Sequence, residues 1–483
     1  MRICFVSSEL APFAKAGGLG DVSAALPRYL HGAGHDVRLF IPFYARIATP
    51  GRDIMAVDFI QNVTVKLGPH TYQYSLFTTQ LPNSSLWVYL VHCAPLYSRP
   101  ELYTSDVDEH MRFGLLTRAA LESCQRMGFS PHIFHCNDWQ TAIGPLYLDA
   151  LYRWDKLFAS TRTLLTIHNI GYQGVFPASG INDLGLSAYA QSFHQEDLRA
   201  GRVNLLKTGI LHADALNTVS PTYAREVQMT SMGAGLEGWL RLRSGSFVGI
   251  LNGVDYDEWS PEKDAYTKHK FSREDLAGKA LVKEELLAAL KLKPTKSAPL
   301  LGIISRLTGQ KGLDLLFDVL PWLLQRYDMR LAVLGSGEAR YEQYFGTLQQ
   351  QYPGRVCFYW GYSNELAHLI EAGADMFVMP SLYEPCGLNQ MYSLRYGTVP
   401  IVRNTGGLAD TVELYDPETG KGTGIVFDDY NREGIAWALT TALTLYQRPR
   451  HWRQMMLNGM AKDYSWDRQG AQYVKLYQRL VSA

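Results

Sequence analysis

The stretch Lys15-Ala16-Gly17-Gly18-Leu19-Gly20-Asp21 follows the apolar run Ile3-Cys4-Phe5-Val6 and precedes a helical pattern. Because its paired glycines lack a Cβ, the backbone can bend sharply there and bring its N–H groups close to a ligand. We predict a helix from about Asp21, and its positive end would point at the same place. With the added charge of the lysine, the stretch predicts a phosphate site.

A dinucleotide site is the main alternative to this interpretation. It would need an Asp or Glu where the second strand ends, to hold a ribose. The second predicted strand, over 37–41, continues into Pro42-Phe43-Tyr44 without an acid. A phosphate-bearing ligand other than NAD is therefore favoured, while a plain turn with a surface lysine stays open.

Composition limits the class of protein. The chain has 483 residues, more than one hydrophobic core usually supports, so we expect two large domains. Lys plus Arg and Asp plus Glu both number 46, and this balance argues against a general nucleic-acid binder. Six scattered cysteines fit a reducing compartment, and no apolar run is long enough to span a bilayer. Because the chain enters a core strand at once, we expect no signal peptide and a cytoplasmic protein.

Short apolar runs alternate with helical patterns in two rounds. The first round predicts strands over 2–7, 37–41, 86–92, 132–136, 161–167 and 215–219, with an inserted hairpin in 54–79. The second predicts strands over 300–305, 330–334, 356–359, 376–379, 399–402 and 424–427. We therefore predict an α/β fold of two doubly wound parallel sheets, with domains at 1–245 and 246–462. Ligands should bind beyond the carboxyl ends of the strands, in a cleft between the domains.

Two cations follow the first strand of the second round, in Ser305-Arg306-Leu307-Thr308-Gly309-Gln310-Lys311-Gly312. Arg306 can bind phosphate through two parallel hydrogen bonds, and Lys311 can act as a point charge. Together they could grip both phosphates of a diphosphate. The alternative is a pair of solvated loop charges.

A carboxylate follows the strand at 376–379, in Pro380-Ser381-Leu382-Tyr383-Glu384-Pro385-Cys386-Gly387-Leu388. Pro385 disfavours helix at Glu384, and we expect the next helix to begin at Gly387. Glu384 would then stand beside free helix N–H groups, where it can bind sugar hydroxyls. Alternatively it is a helix-terminal charge. Cys386 has no base spaced to pair with it, so we interpret it as a packing or lining residue.

His168 and Asp138 end two neighbouring strands of the first round, within Thr166-Ile167-His168-Asn169 and Asn137-Asp138-Trp139-Gln140. Their side chains should meet at the same sheet edge. Either one could instead be structural, as a satisfied buried His or a helix N-cap. No acidic or His pair stands at ligand spacing, so we expect no metal site.

These motifs together resemble those of the bacterial glycogen synthases and plant-type starch synthases, which are retaining glycosyltransferases that use ADP-glucose. The resemblance runs from end to end. It also includes Ile250-Leu251-Asn252-Gly253-Val254-Asp255 and Asn404-Thr405-Gly406-Gly407-Leu408-Ala409-Asp410. It implies a GT-B fold, in which two Rossmann-like domains face each other across a deep cleft. It also implies that the C-terminal helix, in 463–483, completes the first domain.

The resemblance implies glucose transfer from ADP-glucose to the non-reducing end of an α-1,4-glucan, without a cofactor. The acceptor would be glycogen, starch or a maltooligosaccharide. Arg306 and Lys311 would relieve charge on the departing ADP, and Glu384 would face the glucose ring with His168 and Asp138 nearby. Tyr362 matches the position that stacks on adenine. Further substrate-binding positions implied by the resemblance are Lys15, Gly17, Gly18, Asp21, Asn252, Cys386, Gly387, Leu388 and Thr405.

Departures and alternatives stay open at this point. The broader group of retaining transferases has a second Glu where this chain has Tyr392, which leaves ribose recognition open, and the flanks of Asp138 differ from His-Asp-Trp-His. Other possibilities are a UDP-glucose-dependent transferase, a phosphorylase-like enzyme carrying pyridoxal phosphate, and a non-catalytic glucan-binding protein. Retention by front-face attack is favoured over double displacement, which would need a nucleophile on the opposite ring face.

Overall fold

The computed structural model describes residues 1–47, 53–295 and 297–482. Its contacts divide the chain into two compact units, of which the first comprises Met1–Gly253 with Trp466–Ala483 and the second Val254–Ser465. The first unit extends beyond residue 245, the domain boundary predicted from the sequence. The reason is that Phe247–Gly249 pairs in parallel with residues 216–218, in a strand of the first sheet.

The first unit is built on a mainly parallel sheet. The strands of the sheet are β1 (Arg2–Val6), β2 (Asp36–Pro42), β3 (Met55–Ala56), β4 (Val63–Leu67), β5 (His70–Gln80), β6 (Trp87–His92), β7 (Ile133–Asn137), β8 (Arg162–Ile167), β11 (Ala215–Thr218) and β12 (Phe247–Gly249), and a separate antiparallel pair is formed by β9 (Val175–Pro177) and β10 (Arg202–Asn204). The parallel strands run in the order β6-β2-β1-β7-β8-β11-β12. Antiparallel β5 extends this sheet and also pairs with β3. The predicted inserted hairpin is formed by β4 and β5.

Helices connect the strands of the first unit. They are α1 (Gly18–Gly32), α2 (Ala94–Tyr97), α3 (Glu109–Arg126), α4 (Asp138–Thr141), α5 (Gly144–Leu151), α6 (Gly180–Asp183), α7 (Gln195–Arg199), α8 (Leu205–His212), α9 (Pro221–Glu226) and α10 (Glu237–Leu242). Helix α1 begins earlier than predicted, because Gly17 has extended backbone and directly precedes the first helical residue.

The second unit is a fully parallel doubly wound sheet. Its elements are α11 (Ala277–Ala289), β13 (Leu300–Leu307), α12 (Val319–Arg326), β14 (Arg330–Gly337), α13 (Ala339–Gln351), β15 (Val356–Trp360), α14 (Asn364–Gly373), β16 (Met376–Met379), α15 (Asn389–Arg395), β17 (Val399–Arg403), α16 (Gly406–Thr411), β18 (Ile425–Phe427), α17 (Arg432–Tyr446) and α18 (Pro449–Met460). The strand order is β15-β14-β13-β16-β17-β18. The inner strands β13, β14, β16 and β17 read as apolar runs because they are largely buried, whereas the edge strand β15 exposes Tyr359 and Trp360. The predicted α/β architecture is confirmed in both units.

The last helix, α19 (Trp466–Ser482), belongs to the first unit. The hydroxyl of Tyr477 lies 2.8 Å from Nδ1 of the buried His135, and Tyr473 accepts a hydrogen bond from Asn217. A Cβ on Gly470 would lie 2.2 Å from the ring of Tyr29, so this glycine permits the close approach of α19 to α1. Across residues 1–47, 53–295 and 297–482, no helix is both long enough and apolar enough to cross a membrane.

Candidate active site

The strand order changes direction between β13 and β16 in the second unit, which is where open α/β sheets bind ligands. Lys311 follows β13 and Glu384 follows β16. The Nζ of Lys311 donates to Oε2 of Glu384 at 2.7 Å, and Ser381 donates to the same oxygen at 2.9 Å. The topology therefore brings two of the predicted site residues into direct contact.

Glu384 is held in place but keeps one oxygen for other partners. The residue is buried, with 5% of its surface exposed. Both of its side-chain hydrogen bonds use Oε2, and among the described residues Oε1 has no hydrogen-bond partner. A fixed carboxylate with one unused oxygen can accept a hydrogen bond from a ligand hydroxyl, or can stabilise positive charge on a ligand.

Glycines explain how the chain packs so closely here. Gly406 has φ of 47°, and a Cβ on it would lie 1.8 Å from the carbonyl oxygen of Glu384. The N–H of Gly407 donates to that same carbonyl at 3.1 Å. Gly312 has φ of 64° and also packs closely, since a Cβ on it would lie 2.0 Å from the carbonyl oxygen of Pro380. The glycines of two sequence motifs therefore hold the segment that carries Glu384.

Arg306 differs from Lys311 in its surroundings. It lies near the end of β13 and is exposed. Within the described part of the chain its guanidinium has no hydrogen-bond or ion-pair partner. A guanidinium at the switch point that the fold does not use for packing is suited to binding an anionic group.

The segment after Glu384 corrects one prediction. Helix α15 begins at Asn389 and not at Gly387, because Gly387 has a left-handed φ of 70°. The side-chain amide of Gln390 donates to the carbonyls of Cys386 and Gly387, both at 3.0 Å. Cys386 is buried, and Leu388 directly precedes the helix. Glu384 is therefore separated from the helix by a fixed turn.

In the first unit the order changes direction between β1 and β7. Asp138 directly follows β7 and has a left-handed φ of 53°. Its Oδ1 accepts the backbone N–H of His168 at 2.6 Å and that of Asn169 at 3.3 Å. Burial raises the pKa of Asp138 to about 7. The carboxyl group can therefore carry either charge state near neutral pH.

His168 lies beside Asp138, as the sequence predicts. Burial lowers its pKa to about 3, so the imidazole is neutral at working pH. Its Nε2 lies 3.0 Å from Oδ1 of Asn137, whose amide donates to the carbonyl of Val6. Since that oxygen only accepts, Nε2 carries the proton and Nδ1 is left as an acceptor.

Two carboxylates of the protein contact the lysine-glycine turn after β1. Lys15 forms an ion pair with Asp21 at 2.6 Å. The N–H groups of Ala16 and Gly17 donate to Oε2 of Glu9, at 2.7 and 3.0 Å. The Gly17 amide, which the sequence assigns to a ligand phosphate, is therefore paired with a carboxylate of the protein.

The remaining predicted residues occupy three kinds of position. Asn252 is buried, and its Oδ1 has no hydrogen-bond partner among the described residues. Thr405 is buried at the start of α16. Tyr362 follows β15 with 66% of its surface exposed, and its hydroxyl donates to Asn364 at 2.9 Å.

Known proteins are similar to this chain over nearly its whole length. Residues 2–242 match the family described as starch synthase catalytic domain, and residues 289–456 match glycosyl transferases group 1. The glycogen synthase of Koribacter versatilis is 43% identical over 99% of this chain and 98% of its own length. That of Thermotoga maritima is 41% identical over 100% and 99%.

A solved structure agrees. The catalytic domain of starch synthase IV from Arabidopsis thaliana, bound to ADP and acarbose, has a TM-score of 0.93 and 34% identity, and the match covers 100% of this chain and 99% of that one. The chain belongs to the glycogen and starch synthase family of glycosyltransferases. It is therefore an enzyme, and its two doubly wound units are those of the GT-B fold.

Tyr392 has a packing role in this member of the glycogen and starch synthase family. Its ring stacks on Trp259 with centroids 4.0 Å apart, and the Trp259 ring also stacks on His368 at 3.7 Å. These planes are nearly parallel. Position 392, where the broader group of transferases has a Glu, is therefore part of a buried aromatic stack.

Sequence reasoning missed Glu9 and Ser381, which contact the predicted residues. Glu9 lies in the loop between β1 and the glycines, and Ser381 lies three positions before Glu384. The sequence signal for Glu9 was an acidic residue shortly after an apolar strand, where burial of the residue could be expected. No pattern in the sequence indicates which of the neighbouring groups these side chains contact.

Proposed function

We propose that this enzyme transfers glucose from ADP-glucose to the non-reducing end of an α-1,4-glucan with retention of configuration, and releases ADP. Glycogen, starch or a maltooligosaccharide would serve as acceptor. Similarity to glycogen synthases over the full length, and to a starch synthase bound to ADP, supports these substrates. The observation that carries the chemistry is the Lys311–Glu384 pair at the switch point of the second unit.

In this proposal, the bond between glucose C1 and the β-phosphate oxygen breaks, and its electron pair leaves with ADP. Negative charge then grows on the diphosphate while positive character grows at C1. Arg306 and Lys311 stabilise the diphosphate. Glu384 stabilises the sugar, so the ion pair is preorganised for this separation of charge.

The acceptor oxygen attacks C1 from the face that ADP leaves, and a leaving phosphate oxygen takes the acceptor's proton. Asp138 and the neutral His168 bind glucose hydroxyls. Lys15 contributes to binding the diphosphate, and Asp21, Gly17 and Gly18 in the same segment contribute substrate contacts. We assign adenine stacking to Tyr362 and substrate contacts to Asn252, Cys386, Gly387, Leu388 and Thr405.

The test is an assay of the purified enzyme with glycogen and either ADP-glucose or UDP-glucose. We expect one nucleotide released for each glucose added, a preference for ADP-glucose, and new linkages that an α-1,4-specific glucosidase removes. Glu384→Ala should abolish transfer. Glu433→Ala, which removes an exposed carboxylate at the start of α17, should not. Transfer from UDP-glucose alone would contradict the donor, and nucleotide release without elongation would contradict the acceptor.

We also propose a reducing compartment, the cytoplasm or a plastid stroma, as the place of action. None of the six cysteines, all of which lie in the described part of the chain, forms a disulfide bond, and five of them are buried. Disulfide-free cysteines are typical of reducing compartments. Fractionation of the source cells should recover the activity there, and recovery from a secreted or oxidising fraction would contradict this.

A further inference from the structure

Glu9 is the buried acid that lies between β1 and the lysine-glycine turn. Only 4% of its surface is exposed. Its Oε2 accepts the N–H groups of Ala16 and Gly17, at 2.7 and 3.0 Å, and its Oε1 accepts the hydroxyl of Tyr103 at 2.7 Å. Both carboxylate oxygens therefore accept hydrogen bonds, and both of the bonds that Oε2 accepts come from the turn.

These bonds fix the backbone next to Lys15. Hydrogen bonds from N–H groups to a carboxylate are charge-assisted and stronger than neutral ones. Gly17 has no Cβ, and a Cβ built there would have no atom within 4 Å, so side-chain packing does not hold the residue. Hydrogen bonds to the Glu9 carboxylate, and not side-chain packing, therefore fix the position of Gly17 in the turn.

We propose that Glu9 is a positioning residue of this transferase, whose carboxylate holds the lysine-glycine turn so that Lys15 meets the diphosphate of the donor. This inference rests on the proposed function, since it takes Lys15 as a donor-binding residue. Because both of its carboxylate oxygens are used within the protein, Glu9 acts through the turn.

The structure also offers a conservative replacement. In Glu9→Gln, the amide oxygen can accept the two backbone N–H groups as Oε2 does. The amide nitrogen would then face Tyr103, whose hydroxyl lies 2.9 Å from Oγ of Ser8 and can donate there instead. Glu9→Ala leaves both backbone N–H groups without a partner, so the turn loses its fixed geometry.

The test is a double-mutant cycle on the full chain, with kcat/KM for ADP-glucose as the readout and glycogen as acceptor. We expect Glu9→Ala to lower kcat/KM by roughly 100-fold, the scale of a small misplacement of a binding group. Lys15→Ala should cost at least as much. If Glu9 acts through Lys15, the double variant should lie within about 3-fold of Lys15→Ala, because the two losses are not additive. Glu9→Gln should keep kcat/KM within about 10-fold of the wild type, as a conservative rescue of the turn.

Additive losses in the cycle would overturn the proposal, because Glu9 would then act independently of Lys15. Loss of kcat/KM in Glu9→Gln equal to that in Glu9→Ala, with unchanged melting, would overturn it too, because charge and not geometry would then matter. If Glu9→Ala does not fold, Tyr103→Phe replaces it in the cycle, since this variant keeps both hydrogen bonds to Oε2 and removes the hydroxyl that contacts Oε1 of Glu9 and Oγ of Ser8. It should lower kcat/KM less than Lys15→Ala and add nothing in its presence. Failure of the wild-type enzyme to transfer from ADP-glucose would instead contradict the proposed function, and so the two failures are distinguishable.

Discussion

The Nζ of Lys311 and Oε2 of Glu384 lie 2.7 Å apart, although the two residues are separated by 73 positions in the chain. Glu384 is buried, and the side chain of Lys311 is 19% exposed. Each charge therefore depends on the other for compensation, because an unpaired charge in such a place is costly. In the proposed mechanism, loss of either residue should therefore affect both the stability of the second unit and catalysis.

Lys311→Met should lower both turnover and stability. Losing a group that meets charge in the transition state commonly costs on the order of 100-fold in kcat. The buried carboxylate of Glu384 also loses its partner, so the melting temperature should fall. Steady-state kinetics and thermal melting check this, with Lys421→Met as a control on an exposed lysine of the same unit. Unchanged turnover would remove Lys311 from the leaving-group role.

Arg306→Ala should lower turnover without lowering stability. The side chain is exposed and has no hydrogen-bond or ion-pair partner in the described part of the chain. We expect a loss on the order of 100-fold in kcat with an unchanged melting temperature. Arg450→Ala, which removes another exposed arginine of the unit, is the matched control. A lower melting temperature with normal kcat would show that Arg306 is structural.

The sequence predicted the strands well because apolar runs in a parallel sheet are local signals. The strands beginning at Leu300, Arg330, Val356 and Met376 start at the predicted positions. That Lys311 and Glu384 each follow a strand of the second round was also predicted, from the alternation of strands and helices. Their roles in binding and catalysis stay predictions.

Some contacts and backbone conformations could not be predicted from the sequence, because they depend on how the folded chain brings its segments together. Glu9 holds the Gly17 amide because the chain folds back after β1, and nothing local indicates this. Lys311 was predicted to meet a phosphate, and its contact with Glu384 depends on two strand ends that are adjacent only in the sheet. The later start of α15 depends on the left-handed backbone of Gly387.

Gly406→Ala should disrupt the site. Its backbone is left-handed, and a Cβ would lie 1.8 Å from the carbonyl of Glu384, so the segment carrying Glu384 has to move. We expect lower stability and a loss of kcat of roughly 100-fold. Gly420 is a matched control, with φ of 68° but with no atom closer than 3.8 Å to its Cβ. If Gly420→Ala impairs kcat equally, the contact with Glu384 is not the cause.

Asp138→Asn should change how stability depends on pH. Burial raises the pKa of Asp138 to about 7, above the value of about 3.9 in an unfolded chain. Its contribution to stability is therefore fully present below about pH 4 and is lost as the pH rises through about 7. Asparagine still accepts the backbone N–H of His168, so the variant should gain stability over the wild type as the pH rises. The gain is about 1.4 kcal/mol for each unit by which the two pKa values differ.

Urea unfolding of both proteins between about pH 5 and about pH 8 measures this difference. Asp149→Asn is the control, since that side chain is 60% exposed. A difference between Asp138→Asn and the wild type that stays constant over this range, or that falls as the pH rises, would contradict the raised pKa.

The central claim is that the charge of Glu384 acts on the sugar during transfer. Glu384→Gln keeps the size of the side chain and removes its charge. Glu365→Gln, at an exposed carboxylate in the first turn of α14, is the control for a helix-terminal charge.

The most direct measurement compares, in Glu384→Gln and the wild type, the Kd for ADP-glucose without acceptor and the single-turnover rate with glycogen. We predict a Kd within about 3-fold of the wild type and a rate at least about 100-fold lower, the pattern of an interaction made mainly in the transition state. A weakened Kd with a normal rate, or no change in either quantity, would contradict the account.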